Sequence, residues 1–549
     1  MLFSDTLYYL NIIRFVFHQS QCLIFLNFML ILIKMVGFAS YLDRSVLEHA
    51  GNIAIEESGK QITYDEYGKM ADKLASYFFN IGFSRNDRIG ILLPMSLDYL
   101  VSFYAIWKIG AVAVPINNRF SAEDIQFVIK DANLKGLIFS DLEKAKLVNV
   151  LGSNQALKFV VQSNENEDNT FNQIYKREHS VGGTDESWAL DDDDAMIMYT
   201  SGTTGKPKGV RQSHRNNSSS VHMVMDAWKL KETDILLNNV PLFHVGGLQC
   251  GTFPALLSGG KIILLPKWNA VDWIDISINR KATWSGLVST MVVDTVNAIK
   301  SRDNIRMDEF SYRFIFFGGS PTPNPVMSYF ENFFKVPLRE IYGLTEATGL
   351  VVSYSERQKW KIGSMGHIMN QVARYRIVKP ESLGEKNTLI NSKEGVLLLQ
   401  GNTITKGYLN RPELNQERFI DGWFNTKDIV KVDDNNFIYY LGRMDEMIIS
   451  GGENVYPQEV ESVIASHPDV KEVAVIGTPH ERWIEAVTAI VVPKRDGLST
   501  DDVIKFCESS NSLAPYKWPK RVFIANELPK TGSGKINKAA LKEIYGKKN

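Results

Sequence analysis

Between residues 60 and 120 the chain alternates short apolar runs with longer segments of helical periodicity, and that alternation leaves few folds open. Thr63-Tyr-Asp-Glu66 has the form of a capping box, in which each end residue bonds the other's backbone N–H. It opens a helix with an apolar stripe of Met70, Leu74, Tyr77 and Phe78, stopped near Gly82. Residues 89–93 read as a buried strand ended by Pro94, 97–109 as a second helix, and 111–114 as a second strand closed by Pro115. A helix-length connection is what two parallel neighbouring strands need, so this is one crossover unit of an α/β fold.

At 549 residues the chain exceeds what a single core supports. A boundary falls near Gly442, where a strand-like run gives way to Gly442-Arg-Met-Asp445 and then to Gly451-Gly452. Beyond it Pro457 suits the first position of a helix carrying Val460, Val463 and Ile464, and 473–476 and 487–492 read as strands. The division is therefore a large domain over 36–442 and a small α+β domain over 443–549, with the acidic run 191–194 as a solvated linker inside the first. A formal net charge of -1 gives no electrostatic reason for a nucleic-acid partner. Cys22, Cys250 and Cys507 form no CxxC pair, which points away from disulfides and zinc and toward a reducing cytoplasm. The first 35 residues are rich in Leu, Ile, Phe and Tyr, but the longest uncharged run, 22–33, falls short of the roughly 20 residues that cross a bilayer. Arg14, His18 and Lys34 are placed wrongly for a secretory signal. Two readings stay open: contact with a membrane surface through 7–36, or an upstream stretch outside a product that starts at Met35.

The strongest chemical signal is Tyr199-Thr-Ser-Gly-Thr-Thr-Gly-Lys-Pro-Lys-Gly209, directly after the apolar strand 195–198. Its Thr, Ser and Gly residues offer hydroxyl and backbone N–H donors at close approach, and Lys206 and Lys208 add charge, which suits a polyphosphate. It lacks the Gly-Lys-Ser/Thr ending of a Walker A loop. This loop resembles the phosphate-binding signature of the adenylate-forming superfamily, which holds acyl-CoA synthetases, peptide-synthetase adenylation domains and firefly luciferase. The superfamily's other segments follow in order. Pro241-Leu-Phe-His-Val-Gly-Gly247 resembles the acyl-pocket motif, Gly318-Gly-Ser-Pro-Thr-Pro323 the segment bordering adenine, and Tyr342-Gly-Leu-Thr-Glu-Ala347 the adenine and magnesium motif. Gly422-Trp-Phe-Asn-Thr-Lys-Asp428 resembles the ribose motif. Gly442-Arg-Met-Asp445, Ile449-Ser-Gly-Gly-Glu-Asn454 and Pro529-Lys-Thr-Gly-Ser-Gly-Lys535 complete the series, so the likeness spans about 40–545.

The resemblance implies a large domain of parallel βα layers with a small barrel-like part, followed by a mobile α+β lid. It implies an acyl-CoA synthetase that uses ATP, Mg2+ and coenzyme A. Thr200, Ser201, Gly202, Thr203, Thr204, Gly205 and Lys206 would cradle the phosphates, and Gly319, Ser320, Tyr342 and Gly343 would border adenine. Glu346 supplies the hard oxygen that Mg2+ prefers, and Thr345 can bond the α-phosphate. Asp428 can accept both ribose hydroxyls, with Arg443 alongside. His244 would gate the acyl pocket with Gly247 and Gly318, while Gly451, Gly452 and Glu453 would serve coenzyme A and Asp445 would be the hinge. Lys535, loosened by Gly532 and Gly534, would bridge the carboxylate and the α-phosphate. Three departures stand out: Lys427 where the family usually has Gly, Val396 within a usual Gly-Glu-Leu, and Ser289 where a proline usually precedes Thr290.

The implied reaction has two halves, attack of a carboxylate on the ATP α-phosphate and then attack of a thiol on the acyl-AMP. It needs positioning rather than a covalent triad. A fatty acid is the first expectation for the substrate and an aryl acid the second; a dicarboxylic acid, transfer to a carrier protein, and a membrane-tethered nucleotide-binding protein without turnover are the alternatives. The oligomeric state is left open. Because Lys535 is assigned to the first half only, Lys535→Ala should cut acyl-AMP formation by about 3 to 4 kcal/mol of barrier. The same variant, given synthetic acyl-AMP and coenzyme A, should form thioester at a near-normal rate; equal loss in both assays would contradict the assignment.

Overall fold

The computed structural model describes residues 37–151, 157–162, 168, 170–177, 189–200, 206–302, 305–319, 322, 324–356, 358–369, 373–383, 392–510, 513–530 and 536–546. The N-terminal extension, Ser201 to Gly205, Ser320 and Lys535 lie outside the described residues.

The capping box at Thr63 is present: Glu66 N–H bonds the Thr63 hydroxyl at 3.2 Å, and Thr63 N–H bonds the Glu66 carboxylate at 2.8 Å. It starts helix Tyr64–Asn80, whose buried face packs on helix Leu97–Lys108. The crossover unit is also present, with strands Arg88–Leu92 and Val112–Pro115 paired in parallel. They sit in a seven-stranded sheet, in which Gly136–Ser140 and Asp194–Thr200 are further parallel neighbours and Lys208–Ser213 turns back antiparallel on Asp194–Thr200. A nine-stranded sheet lies beside it. Its parallel centre runs Leu338–Leu344, Phe314–Gly318, Trp284–Val288, Ile235–Asn238, Lys261–Leu264 and Ile53–Glu57. Those strands are apolar on both faces because helices cover both, and one continuous cluster joins Ile55, Trp107, Trp228 and Phe316.

The barrel-like part expected from the sequence is a five-stranded antiparallel sheet containing Glu394–Gly401, Trp423–Val432 and Ile438–Arg443. After a turn at Met444–Glu446 comes a second five-stranded, mostly antiparallel sheet led by Val470–His480 and Ile484–Pro493, with Pro457 opening helix Pro457–Ala465. Among the described residues no helix is long and apolar enough to cross a membrane.

The acidic run at 191–194 is not a free linker. Asp194 is the first residue of a strand and 9% exposed, its carboxylate paired with Arg211 at 2.8 Å and Lys406 at 3.4 Å. Asp193 meets Arg85 at 2.6 Å, so only Asp192 stays largely in solvent. The run seats the strand that leads into the glycine-rich loop.

The N-terminal end of the described fold is pinned from inside. Phe38 is fully buried, with its ring 5.1 Å from Trp107 and 5.4 Å from Phe253, and its N–H bonds His214 Nδ1 at 2.9 Å. That acceptor role requires an unprotonated Nδ1. Burial also pushes the His214 pKa down to about 3, and its place in the first turn of helix His214–Trp228 disfavours a cation further. The unfolded chain takes up this proton near pH 6.5 and the fold resists it, so the contribution is complete above pH 6.5. It is lost at roughly 1.4 kcal/mol per pH unit as the pH falls below that value. Urea midpoints measured from pH 7.5 to 4.5 should show this loss, and His214→Asn, whose amide oxygen can still accept from Phe38, should flatten it.

Candidate active site

Strands of a parallel sheet end at one edge, and in open α/β folds that carboxyl edge is where ligands bind. Four of the recognised segments leave from such ends: Thr200 closes Asp194–Thr200, Pro241 to Gly247 follow Ile235–Asn238, Gly318 and Gly319 end Phe314–Gly318, and Thr345 follows Leu338–Leu344. Topology thus gathers stretches spread along the chain from Thr200 to Thr345.

Asp428 and Arg443 face each other in the register of two antiparallel strands, and Arg443 Nη1 bonds Asp428 Oδ1 at 3.1 Å. The other carboxylate oxygen accepts from the Tyr342 hydroxyl at 2.5 Å. Burial raises the Asp428 pKa, and Arg443 and Tyr342 oppose that rise. For Arg443 burial works downward, but the carboxylates of Asp428 and Asp445 outweigh it and hold the guanidinium above its ordinary value. An ionised carboxylate has about four lone-pair sites, so Asp428 can still accept from a pair of vicinal hydroxyls. Asp445, exposed in the turn Met444–Glu446, accepts from Arg443 Nε at 3.2 Å, so one guanidinium ties Asp428 to the expected hinge.

The second cluster surrounds Glu346. At Gly343 a Cβ would come within 2.2 Å of the Gly349 carbonyl, so the strand and its antiparallel return approach as closely as only glycine allows. Thr345 and Glu346 sit in one 3-10 turn closed by Thr348 at φ 55°. Gln212 Nε2 bonds the Thr345 carbonyl at 2.8 Å, Thr405 N–H the Glu346 carbonyl at 2.7 Å, and the Tyr408 hydroxyl the Glu346 carboxylate at 2.6 Å. Lys208 completes the group: burial lowers its pKa, as do Arg418 and Lys427, while Glu346 and Glu417 oppose. Among the described residues no three His, Cys, Asp or Glu side chains converge on a metal position. One carboxylate fits Mg2+, which usually takes one or two from the protein and the remainder of its oxygens from phosphates and water.

His244 is half-buried in the turn after Pro241, its ring 4.7 Å from Phe243, and the turn runs through buried Gly247 into a π-helical segment, Leu248–Thr252. Lys206 is exposed, with its ammonium 5.3 Å from the Phe127 ring centre. Gly451 and Gly452, at φ 63° and 87°, form the two-residue turn of the hairpin Ile448–Ser450 and Glu453–Val455, away from the two clusters. The Trp483 ring fills the space where a Cβ at 451 would stand, 2.8 Å away, and Arg482 and Lys520 lie over it at 4.6 and 5.6 Å. Lys427 occupies φ 60°, a left-handed conformation that favours glycine, and its ammonium pairs with Glu417 rather than entering the site.

Tyr408, Gln212, Arg418 and Trp483 escaped the sequence reading. Tyr408 reaches Glu346 because its strand pairs with Lys208–Ser213 in the register Tyr408↔Val210, and no periodicity announces such a long-range partner.

The site thus sets a carboxylate–guanidinium pair of the antiparallel sheet and a lone hard carboxylate beside the carboxyl ends of the parallel strands. The chain belongs to the AMP-binding enzyme family: that family's model matches residues 42–409, and the model of the AMP-binding enzyme C-terminal domain matches 459–535. Its class is that of AMP-forming acid–CoA ligases. The long-chain-fatty-acid–CoA ligase FadD13 of Mycobacterium tuberculosis is 32% identical over 494 residues, 88% of this chain and 93% of that one. A 2-succinylbenzoate–CoA ligase of Bacillus cereus is 30% identical, covering 89% and 95%. Among solved structures, ATP-bound MatB from Rhodopseudomonas palustris superposes with a TM-score of 0.83 at 26% identity, covering 93% and 99%.

The hydroxyl of Tyr408 orients Glu346 at a hydrogen-bond energy of about 1.5 to 3 kcal/mol for a charged acceptor. Tyr408→Phe should therefore raise the Mg2+ concentration for half-maximal pyrophosphate release by roughly tenfold with little change in melting temperature. Unchanged Mg2+ dependence would remove Tyr408 from this role.

Proposed function

We propose that the chain activates an apolar monocarboxylic acid, a fatty acid first and an aryl acid second, as its acyl-AMP and passes it to coenzyme A. The observation that carries the nucleotide half is the Tyr342–Asp428–Arg443 cluster, a buried anion with acceptor capacity left over. In this reading Asp428 and Arg443 hold the ribose, Thr345 orients the α-phosphate, and Lys208 with the glycine-rich loop holds the leaving pyrophosphate. Glu346 would hold Mg2+, which when bound neutralises phosphate charge. Lys535 comes in from the lid, 443–549, which swings about Asp445 to present the Gly451 hairpin and Trp483 to coenzyme A. Trp483 offers an aromatic face and its two cations offer charge, a combination suited to a nucleotide with phosphates.

The preference for an apolar acid rests on the residue types around and after His244. Phe243, Val245, Leu248, Cys250 and Phe253 are apolar, and 245–257 contains no charged side chain, so a second carboxylate of the substrate would find no cation there. This separates the proposal from two relatives whose names state polar diacids, the 2-succinylbenzoate ligase and the oxalate–CoA ligase of Arabidopsis thaliana. Residues 7–36 as a membrane contact, and the cytoplasm as compartment, rest on the sequence alone.

A pyrophosphate-release screen over fatty, aryl and dicarboxylic acids, with and without coenzyme A, tests this reading. Apolar monoacids should turn over at least tenfold faster than any diacid, and neighbouring chain lengths should differ modestly, since a methylene is worth about 1 to 3 kcal/mol. Oxalate or succinylbenzoate as the best substrate would overturn the choice of acid.

A further inference from the structure

Between the wall that follows His244 and the turn that carries Glu346 lies a chain of three fully buried amides. Gln249, in the π-helical segment Leu248–Thr252, uses both hydrogens of its Nε2: one goes to Asn217 Oδ1 at 2.9 Å and one to Gln212 Oε1 at 3.0 Å. Gln212 passes the polarity on, its own Nε2 bonding the Thr345 carbonyl at 2.8 Å. Asn217 Nδ2 bonds the Ser213 carbonyl at 3.0 Å, which fixes the far end. Each amide orientation is set by its neighbour, so the chain has a single sense from the acyl-pocket wall to the catalytic turn. Packing follows the same route: a Cβ at position 349 would stand 3.2 Å from the Gln249 Cβ, one residue beyond Thr348, whose carbonyl accepts from Ser220 at 2.7 Å.

Two features mark this chain as more than a satisfied core. Among the described residues the Gln249 Oε1 has no hydrogen-bond partner, an imbalance that buried polar groups seldom keep without a reason. And Gln249 stands on a π-helical turn, a local departure from α geometry that lets a small shift in the wall reorient the side chain. Met196 and Met198 flank it with their sulfurs 3.9 and 4.0 Å from Gln249 Nε2, so apart from the two amide acceptors it serves its surroundings are apolar.

We propose that Gln249 is a positioning residue that couples occupancy of the acyl pocket, through Gln212, to the placement of Thr345 and Glu346. Acid in the pocket settles the π-helical wall, Gln249 holds Gln212, and Gln212 draws the Thr345 carbonyl into the position that presents the Thr345 and Glu346 side chains to the nucleotide. The proposal rests on the reading of His244 as the pocket gate and of Glu346 as the magnesium ligand.

The test measures binding of α,β-methylene-ATP with Mg2+ by calorimetry, with and without decanoate, or benzoate should decanoate not bind. Coupling should make the wild-type protein bind the nucleotide at least fivefold more tightly when the acid is present, within the range typical of linked sites. In Gln249→Met the affinity without acid should stay within twofold and the enhancement should vanish. Gln212→Met should lose the enhancement as well, whatever its affinity without acid, and the double variant should lose no more of the enhancement than either single one. Full enhancement in a folded Gln249→Met or Gln212→Met protein would overturn the proposal. So would a wild-type protein that binds nucleotide and acid independently, a result that needs no variant to fold. A wild-type protein that fails to bind the nucleotide at all would instead sink the functional reading on which the proposal stands.

Discussion

A carboxylate as buried as that of Asp428 is tolerable only if its charge is answered within the protein, and the surrounding structure is arranged to answer it. Burial pushes the group toward its neutral form, while Arg443 and the Tyr342 hydroxyl hold it ionised. The two partners come from different sheets. Arg443 arrives by strand register within the antiparallel sheet, and Tyr342 projects from the carboxyl end of the parallel one. The anion therefore fastens the two layers at the point where a nucleotide would lie, and removing either partner would leave a buried charge, which costs more than the pair itself contributes.

The same division of labour recurs around Glu346. The nine-stranded sheet delivers the turn, and Thr405 with Tyr408, whose strand Gly407–Tyr408 is an edge of the seven-stranded sheet, holds it from the other side. Arg418 serves as a brace below: its guanidinium bonds the Asn425 carbonyl at 2.7 Å and the Thr426 carbonyl at 3.3 Å, directly before the left-handed Lys427. A backbone held in a sparsely populated conformation persists only when its neighbours over-determine it. Here a buried arginine and the Lys427–Glu417 pair supply that constraint, which lets a lysine keep a conformation that favours glycine.

Much of this was legible in the sequence wherever the signal was local. The capping box at Thr63, the crossover unit after it and Pro457 at a helix start all depend on residues a few positions apart, and all stand where the pattern put them. The run 191–194 was misread because four acidic residues in a row look alike in composition. Whether such a carboxylate is solvated or paired is decided by Arg85, Arg211 and Lys406, of which the last lies more than two hundred residues away. The Asp428–Arg443 pairing lay within one hairpin and two motifs, whereas the Tyr408 contact to Glu346 and the amide chain from Gln249 to Thr345 have no local mark.

The sequence by itself determined the alternation of strands and helices, the order of the segments that resemble the family's motifs, and the residue types they carry. Periodicity, capping and turn chemistry act over a few residues and are written in composition and spacing. Only the tertiary structure decided which partners each of those residues acquires: Tyr342 and Arg443 for Asp428, Tyr408 for Glu346, Gln212 for the Thr345 carbonyl. The physical reason is that desolvation and hydrogen bonding depend on distances between atoms that the chain brings together only when parallel strands end at a common edge, and the sequence encodes that edge without displaying it.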